Sequence, residues 1–307
     1  MKKTPRNVSG LWVATLTPMK DDLSCDTARL AAHCRFLFDH GCDGVAIFGT
    51  TGEGTSFSVA ERRKALDEVL KAGIPARKIL LGTGSAALAD AAELNRAATE
   101  AGLAGALMLP PFYWKDVDGA GVFRCFAQAI ERTGNPNLKL YLYHIPPLSA
   151  VAMDFGTIGR LAKAFPGTVV GIKDSTLDWS HTKPLLKRFA ATLEILVGAE
   201  HHVPQAIALG ACGTICGLAN VAPGLVRALC DAPGVKAAAR DLKRIKALIG
   251  AVEGMPFVPA VKTVAAAQKR DDAWLAVCPP LTALPRAKAK ALLARVAKLE
   301  IEPAVPA

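Results

Sequence analysis

The sequence of 307 residues lacks the features of several specialised protein classes. No apolar run approaches the roughly 20 residues that cross a bilayer, and the polar first residues contain no signal-peptide core. We therefore expect a soluble, cytoplasmic protein with no membrane partner. Hydrophobic residues make up 51% of the chain and charged residues 21%, a balance that excludes global disorder and permits a large core.

Paired cysteines and interleaved aromatic residues are also missing. The eight cysteines contain no C-x-x-C pair and no Cys/His cluster with the spacing of zinc ligands, so we predict structural thiols in a reducing compartment and no metal. Aromatic residues are only 6% of the chain and form no stripe with basic residues. The net charge of +10 therefore predicts a solvated surface with a mild preference for anions, and no nucleic-acid partner.

A strand-like run followed by a helical pattern recurs eight times in the first 233 residues. The predicted strands are residues 11–16, 44–48, 78–81, 105–109, 139–143, 169–172, 194–197 and 212–216. The predicted helices are residues 27–40, 58–72, 87–101, 121–132, 155–164, 179–189 and 202–209, and a further one that begins at Pro223. Such alternation is typical of an α/β fold, the (β/α)8 TIM barrel, which we predict over residues 1–233. A doubly wound open sheet is the alternative.

The alternation stops after residue 233. Residues 235–252, 258–268 and 286–299 have amphipathic helical periodicity, which predicts a C-terminal helical subdomain over residues 234–307 that packs on the barrel or on a neighbouring subunit. We expect residues 303–307 to fray.

Lys173 is the first candidate for catalysis. It follows an apolar run at residues 169–172, and residues 174–176 are typical of a turn that opens a helix. A lysine at the end of a buried strand is poorly hydrated, which favours the neutral amine that attacks a carbonyl to form a Schiff base. A lysine in this place can also simply extend its amine into water, so the residue alone leaves both interpretations open.

Other predicted strand ends carry polar side chains that would meet Lys173, because active groups of a barrel lie at the C-terminal ends of its strands. Residues 49–52 place the hydroxyls of Thr50 and Thr51 beside exposed N–H groups, which suits a carboxylate but also an ordinary tight turn. Tyr143 ends the fifth strand, next to Lys173, and Tyr113 lies in a Pro-rich loop. Each tyrosine also fits a packing or interface role.

Together these segments resemble one enzyme family. GTTGE at residues 49–53, PPFY at 110–113, YHIP at 143–146 and GIKD at 171–174 are similar to motifs of the dihydrodipicolinate synthase/N-acetylneuraminate lyase family, and the resemblance runs from about residue 10 to about residue 267. It implies a (β/α)8 barrel with a C-terminal helical region, a homotetramer built from dimers, and no cofactor or metal.

The resemblance also implies roles for individual residues. Lys173 would form an imine with a 2-keto acid, usually pyruvate, and Tyr143 would relay protons. Tyr113 would reach into the neighbouring subunit's site and complete the relay. Further residues would surround the keto acid: Thr50 and Thr51 at its carboxylate and connected to Tyr143, and Gly198 and Ile215 through their backbone near the pyruvyl group.

Departures from the motifs indicate which branch of the family fits. Leu148 stands where dihydrodipicolinate synthases carry an arginine for the carboxylate of the aldehyde substrate, and a leucine cannot pair with a carboxylate. The run from residue 143 to 150 is more similar to N-acetylneuraminate lyases and 2-keto-3-deoxy sugar-acid aldolases. His144 replaces an asparagine usual in both branches; it either tunes the site or is a satisfied strand-end histidine.

The loop after the seventh strand also departs from neuraminate lyase. Glu200 remains able to accept hydrogen bonds from substrate hydroxyls, whereas His201 and His202 change the polar set. As neighbours on a helix, the two histidines are expected to face apart, which disfavours a metal site between them.

We therefore predict a carbon–carbon lyase: a Schiff-base aldolase that cleaves or condenses a 2-keto-3-deoxy sugar acid or similar 2-keto acid, with pyruvate and a small aldehyde as partners. A 4-hydroxy-tetrahydrodipicolinate (dihydrodipicolinate) synthase is the first alternative, and a hydratase-aldolase or dehydratase of the same family is another. From a different class, a non-catalytic barrel used as a binding module is disfavoured, because such a barrel has no reason to keep Lys173, Tyr143, Thr50 and Thr51 together.

Overall fold

The computed structural model describes residues 6–232, 234–299 and 301. Eight parallel strands form a closed barrel in which each strand pairs with the next and the last pairs with the first. The strands are β1 (Gly10–Ala14), β2 (Gly44–Ile47), β3 (Ile79–Gly82), β4 (Gly105–Met108), β5 (Leu140–His144), β6 (Val169–Asp174), β7 (Glu194–Val197) and β8 (Gly213–Cys216). This closure confirms the predicted (β/α)8 barrel and excludes the open sheet.

Helices fill the connections between strands. They are α1 (Thr27–Asp39), α2 (Val59–Lys71), α3 (Leu88–Glu100), α4 (Gly119–Thr133), α5 (Pro146–Ser149), α6 (Phe155–Ala164), α7 (Trp179–Phe189), α8 (Val203–Ala208) and α9 (Pro223–Asp231). The single-turn α5 was not predicted, because two adjacent prolines suggest a loop. Both prolines lie in its first turn, where a helix does not need their missing N–H groups.

The helix predicted over residues 179–189 is confirmed, but one residue of the turn expected before it lies in a strand. Asp174 is the last residue of β6 and does not open a helix. Helix α7 begins at Trp179, and the side chain of Asp178 caps it by accepting a hydrogen bond from the backbone N–H of Ser180. Asp174 stays in the strand because its backbone remains in register with Val197 of β7.

Side chains of each strand alternate between two apolar layers. On β5, Tyr141 and Tyr143 belong to the cluster inside the barrel, whereas Leu140 and Leu142 belong to the layer between barrel and helices. Successive side chains of a strand point to opposite faces. Lys173 pairs in register with Tyr143 and therefore faces the barrel interior.

The C-terminal region consists of α10 (Ala239–Val252), α11 (Phe257–Lys269) and α12 (Arg286–Val296), followed by a 3-10 turn at Ala297–Leu299. Helix α10 begins later than predicted, because residues 235–238 form a turn. These helices contribute to the core cluster that surrounds the barrel. The expected fraying of residues 303–307 and the boundary residue 233 lie outside the described residues, and the division into two domains stays a prediction.

In the described part of the chain, no single helix is long and apolar enough to cross a membrane. Helices α10 and α11 meet that criterion only as a pair, and they meet at an angle of 110°. All eight cysteines are free thiols, and burial raises the pKa of several of them, Cys34 and Cys42 to about 12. These two thiols are therefore inert at neutral pH.

Candidate active site

Lys173 lies near the carboxyl end of β6 and is only 4% exposed. Its register partners are Tyr143 on β5 and Leu196 on β7. The Lys173 Nζ atom lies 4.3 Å from the centroid of the Tyr143 ring. The amine and the phenol thus share the end of the barrel at which enzymes of this fold perform chemistry.

Tyr143 is connected to the loop that follows β2. The hydroxyl of Thr50 donates a hydrogen bond of 3.1 Å to the phenol oxygen. The neighbouring Gly49 faces open space, since a Cβ at this position would meet nothing within 4 Å. A proton on the Tyr143 phenol therefore has a second hydroxyl within reach.

Thr51 occupies a different environment from Thr50. It is buried, and its hydroxyl faces Gly217, where a Cβ would lie 3.2 Å from the Thr51 oxygen. Of the two threonines, it is Thr50 whose side chain bonds to Tyr143.

The segment of residues 48–54 has a strained backbone. Phe48 and Glu53 adopt left-handed φ angles of 54° and 55°, which are uncommon and costly for residues that carry a Cβ. At Gly54 a Cβ would lie 1.8 Å from the carbonyl oxygen of Phe48. Local backbone preference therefore does not explain this conformation, and surrounding contacts must hold it.

One such contact is an ion pair between Glu53 and Lys262 of α11. The Lys262 Nζ lies 2.6 Å from Glu53 Oε1, and the side chains are 0% and 2% exposed. The backbone N–H of Cys278 donates a hydrogen bond of 2.7 Å to Glu53 Oε2, and Lys262 also donates to the carbonyl of Ala276. Burial lowers the pKa of Lys262, an effect that the Glu53 carboxylate opposes. The C-terminal region thus holds the strained loop.

Sequence reasoning missed this pair. In the sequence-based prediction Glu53 is only the last residue of the GTTGE motif, and Lys262 is not among the candidate residues. The available signal was a lysine between apolar residues in the predicted helix 258–268, since a lysine is almost never fully buried unless it is paired.

Glu200 lies in a 3-10 turn (Glu200–His202) after β7 and is buried. Its Oε1 accepts a hydrogen bond of 3.0 Å from the backbone N–H of Leu218. Burial raises the pKa of Glu200, while the hydrogen bond from Leu218 and the positive charge of Lys173 oppose the rise. Burial and the Glu200 carboxylate together raise the pKa of the Cys216 thiol. Glu200 is thus part of an enclosed polar group close to Lys173.

Two further predicted residues line the strand ends around this group. Ile215 on β8 is fully buried in the barrel interior. Gly198 follows β7 and cannot carry a side chain without a shift of its neighbour, because a Cβ there would lie 2.2 Å from the Ser175 hydroxyl.

Tyr113 and Leu148 lie apart from this group of buried residues. Tyr113 is 70% exposed, and its ring packs edge-on against Trp114 at 5.3 Å between centroids. Leu148 on α5 is 66% exposed. Neither side chain is enclosed by the rest of this chain.

The prediction that His201 and His202 face apart is wrong. Their ring centroids are 4.1 Å apart, and the His202 ring also packs against Trp179 at 5.3 Å. Both rings therefore lie on one side of the turn, and that of His202 packs on the tryptophan. Burial, assisted by the charge of His201, lowers the pKa of His202 to about 4, so His202 is neutral at pH 7.

His144 belongs to a second polar cluster outside the barrel. Because successive strand residues alternate, His144 and Asp174 face the helix layer while Tyr143 and Lys173 face the interior. The Oδ1 of Asp174 lies 3.6 Å from His144 Nδ1 and 3.5 Å from His181 Nδ1. Within the described residues neither ring nitrogen of His144 has a partner at hydrogen-bond distance, and the role of this histidine stays a prediction.

Asp174 is nevertheless ionised in this environment. Burial opposes its ionisation, but the two imidazoles and the hydroxyl of Thr182 outweigh burial and lower the pKa of the carboxyl. The Thr182 hydroxyl donates a hydrogen bond of 2.6 Å to Asp174 Oδ2.

Comparison with known proteins gives a consistent result. A family model described as the dihydrodipicolinate synthetase family matches residues 7–298. A DapA-like lyase of Chloroflexus aurantiacus is 36% identical over 83% of this chain and 86% of its own. A 4-hydroxy-tetrahydrodipicolinate synthase of Thioalkalivibrio sulfidiphilus is 31% identical over 76% and 78%. The crystal structure of a dihydrodipicolinate synthase from Agrobacterium tumefaciens superposes with a TM-score of 0.89 at 34% identity, covering 95% of this chain and 100% of that one.

Proposed function

Because the chain belongs to the dihydrodipicolinate synthetase family, and so is a lyase with pyruvate-dependent, class I aldolase-type activity, we propose that Lys173 performs this activity through a Schiff base. The observation that carries the proposal is the buried Lys173 amine 4.3 Å from the Tyr143 ring at the carboxyl end of the barrel. Membership of the family favours an enzyme over the alternative of a non-catalytic barrel.

The proposed reaction begins with attack of the Lys173 amine on C2 of the keto acid. The carbinolamine loses its hydroxyl as water, after the Tyr143 phenol supplies a proton, and a protonated imine remains. The imine withdraws electrons from the bond between C3 and C4. When that bond breaks, the C4 hydroxyl loses a proton and becomes the aldehyde, and C3 becomes part of an enamine. Protonation of C3 and addition of water then release pyruvate and restore Lys173.

Tyr143 and Thr50 are proposed to move the protons in these steps. Their hydrogen bond of 3.1 Å lets the phenol give up one proton and receive another without leaving the site. We assign the carboxylate of the keto acid to the loop of Thr50 and Thr51, since the space beside Gly49 is open and hydroxyl and N–H groups stabilise a carboxylate. Gly198, Glu200 and Ile215 would surround the rest of the substrate, whereas His144 faces away from it and takes no part in these steps.

A 2-keto-3-deoxy sugar acid is the substrate class that we favour. Leu148 offers no charge to a second carboxylate, so an aldehyde that carries one lacks its partner here. The second candidate is 4-hydroxy-tetrahydrodipicolinate synthase, an activity named for the relative from Thioalkalivibrio sulfidiphilus. A hydratase-aldolase or dehydratase would use the same imine.

We also propose that the active unit is a homotetramer built from dimers, in which Tyr113 completes a partner's site. Support comes from the exposure of Tyr113 and of Trp114, at 70% and 71%. Exposed aromatic side chains of this size favour an interface between proteins.

Borohydride trapping tests the Schiff base directly. With pyruvate and borohydride, the intact mass of the wild-type protein should increase by one reduced pyruvyl group. Lys173→Arg keeps the charge but should give no adduct, whereas Lys262→Arg, which changes another buried lysine, should still be labelled. An adduct that persists in Lys173→Arg would place the imine elsewhere. A screen of aldehydes against pyruvate then decides between the two candidate substrates.

A further inference from the structure

The strongest unassigned feature is the cluster of His144, Asp174 and His181 on the outer face of the barrel. The three side chains come from β5, β6 and α7, and one potential ligand atom of each lies within 4.8 Å of the other two. His144 and Asp174 are buried, and His181 is 22% exposed. The mechanism above uses none of the three.

The distances suit a bound cation better than direct hydrogen bonds. Asp174 Oδ1 lies 3.6 Å and 3.5 Å from the two Nδ1 atoms, whereas N–H···O bonds fall at about 2.7–3.2 Å. Ligands at about 2.0–2.1 Å from a tetrahedral zinc ion are roughly 3.4 Å from one another. The His144 and His181 nitrogens that face Asp174 have no hydrogen-bond partner among the described residues, so their lone pairs remain available.

The carboxylate at the centre of the cluster is held in place. The hydroxyl of Thr182 donates to Asp174 Oδ2 at 2.6 Å, and the Thr176 hydroxyl lies 3.3 Å from the same oxygen. Oδ1 accepts a long hydrogen bond of 3.3 Å from the backbone N–H of Thr176. The His181 ring packs on Phe155 with centroids 5.1 Å apart. Such support of ligands by neighbouring groups is typical of metal sites.

The surroundings leave room and provide charge for a cation. A cavity of about 590 Å³ adjoins the cluster and is lined by His144, His181, Thr176 and the carboxylate residues Asp154 and Asp178. An ion has a path of entry through this cavity, and its fourth position would face the cavity, where water or a small ligand can bind.

We propose that His144 Nδ1, Asp174 Oδ1 and His181 Nδ1 bind a divalent transition-metal ion of the zinc type. Two imidazoles and one carboxylate bind such ions in preference to magnesium or calcium, which favour oxygen ligands. The ion joins the carboxyl ends of β5 and β6 to α7, on the side of the barrel wall opposite to Lys173. Its effect is to clamp these elements, and the Schiff-base chemistry proceeds without it.

Cobalt provides the test, because tetrahedral Co²⁺ gives intense visible absorption. Protein treated with a chelator and then dialysed is titrated with Co²⁺ and, in competition, with Zn²⁺. We expect one ion per chain, no thiolate-to-cobalt charge-transfer band, and an increase in melting temperature with Zn²⁺. His181→Ala should abolish binding, and His144→Asn should weaken it at least tenfold.

His201→Ala is the matched control, since it removes a histidine of the neighbouring pair and should bind Co²⁺ as the wild type does. Trapping of pyruvate should be unchanged in His181→Ala, which separates this proposal from that of the Schiff base. Failure of the wild type to bind a stoichiometric ion would overturn the proposal. Equal binding by wild type and folded His181→Ala would do so as well.

Discussion

The amine of Lys262 and the carboxylate of Glu53 form an ion pair sealed from solvent, 2.6 Å between Nζ and Oε1. The pair joins helix α11 to the loop that carries Thr50 and Thr51. Since Glu53 has a left-handed backbone, its side-chain contacts oppose the strain of that loop. The C-terminal helices thereby influence the geometry of the catalytic end of the barrel.

Removal of one partner of this pair should destabilise the protein strongly. Lys262→Met leaves the Glu53 carboxylate buried and unpaired, and we expect the free energy of unfolding to decrease by about 3–5 kcal/mol. Denaturant titration measures the change. The double variant Lys262→Met/Glu53→Gln should lose less than the sum of the single variants, and strict additivity would show that the two side chains do not interact.

Loss of the Tyr143 hydroxyl should slow catalysis without preventing the imine. Tyr143→Phe keeps the ring beside Lys173 but removes the proton donor, so we expect kcat to decrease by about 10²- to 10⁴-fold. Steady-state kinetics of the cleavage of a 2-keto-3-deoxy acid give the value. Borohydride trapping of pyruvate should still label the variant after longer incubation. An unchanged kcat would remove Tyr143 from the mechanism.

Mixed oligomers test the proposed role of Tyr113 across an interface. Lys173→Ala and Tyr113→Ala chains should each have little activity alone. After they are unfolded and refolded together, a site with an intact Lys173 can receive Tyr113 from its partner, and part of the activity should return. Absence of recovery, with mixed oligomers verified by native mass spectrometry, would restrict Tyr113 to its own protomer.

Leu148→Arg tests the assignment of the substrate. An arginine there supplies a partner for a carboxylate, so condensation of pyruvate with aspartate semialdehyde should increase at least tenfold over a low wild-type rate. Leu148→Lys provides a positive charge without the planar guanidinium group that binds a carboxylate through two N–H groups, and it should increase the rate less. Efficient condensation of this aldehyde by the wild-type enzyme would favour the synthase candidate instead.

The partly buried amine of Lys269 should make the free energy of unfolding depend on pH. Its amine packs over the rings of Phe36 and Trp274, at 4.3 Å and 5.2 Å from their centroids, and burial lowers its pKa from 10.5 to about 8. Between these two values the unfolded chain binds more protons than the folded chain, so this residue makes stability rise with pH.

Lys269→Met should therefore be more stable than the wild type at pH 7, by on the order of 1 kcal/mol because the amine is partly exposed. The advantage should shrink as the pH rises to about 10. Urea unfolding at both pH values measures it, and the exposed Lys64→Met serves as control. An advantage that is equal at both values would contradict the lowered pKa.

Much of the barrel could be predicted because its signals are local. The buried run before Lys173 and the tyrosine near the end of β5 each indicate the end of a strand, and the barrel brings strand ends together. The pairing of Glu53 with Lys262 carries no such signal, since it depends on how α11 packs. The same holds for the cluster of His144, Asp174 and His181. The alternation of a strand suggests that the side chains of His144 and Asp174 face the helix layer. It does not show which turn of α7 packs against these two side chains.

The contacts of Glu53 also bear on the order in which the chain is made. Residues 49–54 are synthesised long before Lys262 and Cys278, which complete the contacts of Glu53. Domains begin to fold during synthesis, N-terminal part first. A nascent chain that has already formed its strands therefore still lacks the contacts that hold the loop of Thr50 and Thr51, and this loop reaches its final geometry only after Cys278 has been added.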